Sequence, residues 1–82
     1  MLSIHDCIAF SGLTGDQLDA VAFHQQLPPI IAAEWAETIL DLPGGGIVMT
    51  ATLASAVRWA RAVGHHRDVA RFEDGLRAFL AN

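Results

Sequence analysis

The chain has 82 residues, of which 52% are apolar, with one cysteine and a net charge of −4. That length sets one small domain, unable to hide all its apolar surface, so some is expected to face a partner or a second copy. The acidic balance disfavours a nucleic-acid partner, and the lone Cys7 excludes an internal disulfide and fits a reducing compartment.

The charge is unevenly placed. Before Val57 stand Asp6, Asp16, Asp19, Glu34, Glu37 and Asp41 with no basic side chain except histidine. From Arg58 onward, Arg58, Arg61, Arg67, Arg71 and Arg77 outweigh Asp68, Glu73 and Asp74. Such asymmetry suits an oriented contact, including an antiparallel dimer. The longest uncharged run, 42–57, holds Pro43 and three glycines and is too short and too broken for a membrane span of about 20 helical residues. The start, Met-Leu-Ser-Ile-His-Asp, has neither a basic segment nor an apolar run, so no signal peptide is expected and a cytoplasmic setting follows.

In chain order, Ser3 caps a short helix over 3–10, with Ile4, Cys7 and Ile8 on one face and Gly12 after it. Cys7 reads as a small core residue. Thr14-Gly-Asp-Gln17 has the spacing of a capping box, and Asp16 and Asp19 favour the positive end of the helix it opens. That second helix runs to about Gln26 and buries Leu18, Val21, Ala22 and Phe23. Leu27-Pro28-Pro29 ends it, and the prolines start a third helix, since proline is tolerated at the first helical position. Its expected inward stripe is Ile31, Trp35, Thr38 with Ile39, and Leu42. Pro43-Gly-Gly-Gly46 closes it.

A fourth helix over 47–63 carries Met49, Leu53, Ala56, Val57, Ala60 and Val63 at helical spacing, and Gly64 stops it. A fifth, to about Leu80, has the cleanest stripe: Val69, Phe72, Leu76, Phe79 and Leu80. Glu73 and Arg77 are an attractive pair four apart, and Gly75 invites close packing. No strand-like alternation occurs. The reading is an all-α compact bundle of four to five short helices, ending in an antiparallel helical hairpin.

Leu13-Thr14, Leu18-Asp-Ala-Val-Ala-Phe-His24, Leu27-Pro28 and Ile30-Ile-Ala-Ala-Glu34 together resemble a pattern of small helical proteins of proteobacteria. The Gly64-His-His-Arg67 turn is similar to the same group. Its histidine is typically followed by an acid, where this chain has Gln25. The resemblance implies a helical fold and brings no established activity.

His24 at a helix end, with Glu34 and Glu37 sharing a face three apart, is the candidate metal- or small-ligand set. The chain lacks the Glu-x-x-His step of di-iron bundles and any zinc-type spacing, so no metal or cofactor is assigned. Adjacent His65 and His66 point about 100° apart on a helix and suit the negative end of a helix better than shared ligation. Pro43–Thr50 lacks the Gly-Lys-Ser/Thr ending of a phosphate loop, and Ser55, Thr52 and Cys7 lack a base and an oxyanion hole, so no enzyme is expected. The arginines from Arg58 to Arg77 form the basis of a weaker, nucleic-acid reading.

Docking is the leading expectation. Trp59 falls outside the Leu53–Val57–Ala60 stripe beside Arg58, the composition of an interface anchor. With Trp35, and with Ile30 expected on the exposed side of its helix, these four define the predicted surface. The expected function is a small non-enzymatic module that self-associates or binds a larger protein through an apolar helical face.

Overall fold

The computed structural model describes residues 12–81. Among them are four helices and no strand: α1 Gly15–Gln25, α2 Pro29–Asp41, α3 Gly45–Ala62 and α4 His66–Ala81. The all-α expectation holds. The helix predicted over 3–10, and Cys7 in it, lie outside the described residues. None of the four helices is long and apolar enough to cross a membrane.

α1 opens with the capping box expected of its sequence. The Gln17 amide donates to Thr14 Oγ1 at 3.3 Å, and the Thr14 amide donates to Gln17 Oε1 at 2.9 Å. Gln17 is buried, and its Nε2 also donates to the Gly75 carbonyl at 2.9 Å, so one side chain caps α1 and ties it to α4. Gly75 is the residue that allows this approach: a Cβ there would stand 3.2 Å from Gln17 Cγ. α1 ends at Gln26 in the left-handed region (φ 55°), where the Leu27 amide donates back to the Ala22 carbonyl.

α2 starts at Pro29 without a side-chain cap. Its orientation differs from the expected one. The buried face is Ala32, Ala33 and Ala36, with Ile30, Trp35 and Leu40 packed alongside, while Ile31 and Leu42 are 45% and 54% exposed and Thr38 faces out. The physical reason is that Ile30-Ile-Ala-Ala33 puts apolar groups on every side of the first turn, so periodicity leaves the phase open. Alanines bring the helix axis close to its neighbours, and that close approach settles the phase. Ile30, expected exposed, is thereby half-buried against the core.

The turn to α3 depends on Gly45. It is buried, and a Cβ built on it would lie 1.8 Å from the Ile39 carbonyl oxygen, so no side chain fits there. α3 buries Met49, Thr52, Leu53, Ala56, Val57 and Ala60, most of the predicted stripe. Val63 is exposed instead, because it caps the helix. The hairpin into α4 is closed by Gly64 (φ 81°), with the His65 amide on the Ala60 carbonyl and the Gly64 amide on Arg61. In α4, Phe72 is buried and Val69, Leu76 and Phe79 pack on the core, whereas Leu80 near the helix end is exposed.

α1 and α3 each pack on all three other helices, and α2 and α4 lie apart from each other. The core therefore sits between α1 and α3, around Leu18, Val21, Met49, Leu53 and Phe72.

Candidate interaction surface

α3 is the helix that positions the surface. Its inner stripe is fixed by the core, and a helix of period 3.6 must then turn Ile47, Ala51, Ala54, Ser55, Arg58 and Ala62 outward. Ile47 is 78% exposed, Ala51, Arg58 and Ala62 are exposed, and Ala54 and Ser55 are half-buried. Val48 and Trp59 flank this row and are exposed as well. Arg58 is the one charged side chain among them. Apart from Arg58 and Arg61, the outer side of α3 is thus largely apolar, and the described residues leave that surface uncovered.

Two shallow depressions lie along this face. One, of about 390 Å³, is lined by Gly46, Ile47, Thr50, Ala51 and Ala54. The other, of about 320 Å³, is lined by His24, Ile47, Val48, Ala51, Thr52 and Ser55. Ile47 and Ala51 belong to both, so the isoleucine is the ridge between them.

Trp59 stands at the C-terminal end of the face, 39% exposed. Its ring is held by Phe23 at 5.4 Å between centroids and by the edge of His24 at 6.1 Å. Phe23 in turn contacts Phe72 at 5.5 Å and His65 at 5.8 Å. The indole is thus packed on one side by α1 and open on the other. Trp59, expected off the core stripe, is partly exposed. Trp35, the other predicted anchor, is half-buried and packs against the core.

The candidate ligand residues sit differently. His24 lines the second depression, and its Nδ1 accepts from Gln25 Nε2 at 3.1 Å, so the residue standing where an acid was expected partners the ring. Glu34 is exposed and Glu37 half-buried on α2. No three histidine, cysteine or acidic side chains among the described residues come together as a metal-holding group, so His24, Glu34 and Glu37 do not form one. His65 caps the start of α4 through its carbonyl, which accepts from the Asp68 and Val69 amides, and its ring lies 3.6 Å from Asp68.

Of the arginines, three are held by acids. Arg71 pairs with Asp16 at 3.1 Å, with Asp68 at 3.0 Å and with Asp19, tying α1 to α4. The hydrogen bond to Asp16 leads in raising its guanidinium above the ordinary value, with Asp19 adding and partial burial opposing. Arg61 pairs with Glu73 at 3.0 Å across the hairpin, and Arg77 pairs with Asp74. The expected Glu73–Arg77 pair is replaced, because α3 brings Arg61 to Glu73. Arg58 bonds only the Ser55 hydroxyl, at 2.9 Å, and neither it nor Arg67 meets an acid among the described residues. Thr52 is bonded back to the Val48 carbonyl at 2.9 Å.

The exposure of Ile47, Val48 and Ala51 escaped the sequence reading, although their signal is present: all three fall off the Met49–Leu53–Ala56–Ala60 stripe. Among the described residues, the fold and this face define a bundle of four helices, one of them largely apolar on its solvent side. Comparison with known families, with curated proteins and with solved structures finds no match in any of the three.

Proposed function

We propose that the chain is a non-enzymatic interaction module of the cytoplasm that docks another protein surface on the outward face of α3. The observation that carries this reading is Ile47, 78% exposed on a ridge between two apolar depressions and continued by Val48, Ala51 and the anchored Trp59. Arg58 supplies the polar, directional element beside the indole. Of the predicted anchors, Arg58 and Trp59 belong to this face, while Ile30 and Trp35 support α2 from the inside.

A photo-crosslinking residue placed at Ala51 in cells is the test. The expected result is a defined protein adduct, whether with itself or with another chain, and none from the same residue placed at exposed Ala78 on α4. Absence of an adduct at Ala51 overturns the reading. The small-ligand alternative retains His24, which lines a depression, and is tested by native mass measurement for a co-purifying small molecule or metal.

A further inference from the structure

We infer that the occupant of the α3 face is a second copy of this chain, docked antiparallel about a two-fold axis through Ala54 and Ser55; this rests on the interaction reading above. The outward row is symmetric about that point. An antiparallel partner centred there sets Ile47 against Ala62, Ala51 against Arg58, and Ala54 against Ser55. Ile47 and Arg58 each meet an alanine along this row, which lets the two helices approach closely there. The depressions on either side of Ile47 are the space such a partner fills.

Charge fixes the direction. α2, which leads through a three-residue turn into the N-terminal end of α3, carries Glu34, Glu37 and Asp41 with no cationic partner among the described residues. The opposite end carries Arg58 and, just beyond the hairpin turn, Arg67, neither with an acid among the described residues. A parallel arrangement sets acid over acid and base over base. The antiparallel one lays the arginine end of each copy toward the acidic end of the other, as electrostatic complementarity requires. Each copy also reverses the other's helix dipole.

Area sets the strength. An α3 strip about 27 Å long and about 10 Å wide falls short of the about 800 Å² per protomer of a standard interface. The dimer is therefore a weak one, with a dissociation constant in the micromolar range or above.

The test is sedimentation of the purified full chain over a concentration series, with two substitutions at one exposed site. Ala51→Arg sets a guanidinium against Arg58 of the second copy and is expected to weaken the dimer about tenfold. Ala51→Glu sets a carboxylate there and is expected to match the native chain or exceed it. Ala51→Arg combined with Arg58→Glu restores dimerisation. Circular dichroism confirms that each variant is folded, which the exposure of Ala51 favours. A native chain that stays monomeric to millimolar concentration overturns the inference, as do equal losses from Ala51→Arg and Ala51→Glu. A monomeric chain that still gives an adduct with another protein at Ala51 overturns the dimer and leaves the docking reading standing. A monomeric chain with no adduct removes both.

Discussion

At the scale of single residues, the two adjacent glycines that open α3 have opposite roles. A Cβ on Gly45 would run into the Ile39 carbonyl, which is backbone and cannot turn aside, whereas a Cβ on Gly46 meets nothing within 4 Å. Gly45→Ala is expected to lower the unfolding free energy by about 3 kcal/mol in urea titration, by overpacking and backbone displacement. Gly46→Ala is expected to raise it by about 0.5–1 kcal/mol, because alanine in a helix leaves less backbone freedom to lose. Equal effects at the two positions would contradict the turn described. The sequence read this run as a helix-to-helix connection and could not rank its glycines. The Ile39 carbonyl that decides between them belongs to another helix.

At the scale of elements, Arg71 is the clasp between α1 and α4. It serves Asp16 and Asp19 on one helix and Asp68 on its own. These groups are partly solvated, so each pair is worth little alone and the cluster works as a network. Arg71→Gln is expected to cost about 1–2 kcal/mol in thermal unfolding, with the loss shrinking at high salt. The guanidinium is raised above its ordinary value, so it stays charged from neutral pH upward and its contribution declines only in strong alkali. The Arg71-dependent difference between native and variant chains should therefore stay flat from neutral to mildly alkaline pH. Element ends were legible: Thr14 and Gln17, Pro28 and Pro29, and Gly64 all act where the sequence places them. Element rotation was legible only where one face is distinctly apolar. In α3 the Met49–Ala60 stripe is inward as read, but in α2 the large residues Ile31 and Leu42 are exposed and the alanines are buried.

At the scale of the whole molecule, α3 is both the central strut of the bundle and its apolar outer face. The inner and outer sides should respond differently to substitution. Leu53, fully buried, is expected to cost about 3 kcal/mol on change to alanine, by lost transfer energy and a residual cavity. Ile47→Ser, on the outer side, is expected to leave monomer stability within about 0.5 kcal/mol while abolishing association. Chemical denaturation at low concentration and sedimentation at high concentration measure the two effects separately. A large loss of monomer stability from Ile47→Ser would mean that the isoleucine belongs to the core and that the face is not free.

The sequence alone determined that this chain is helical, where the described helices begin and end apart from the glycine start of α3, and which side of α3 faces the core. Caps, prolines and glycines act on their own few neighbours, so their effect can be read locally. The tertiary structure decided the phase of α2, the partners of Arg61 and Arg71, and the exposure of Ile47, Val48 and Ala51. Each of those depends on which helix stands opposite. Among the described residues, α1 and α3 are the two helices in contact with all the others, and one side of α3 is left exposed.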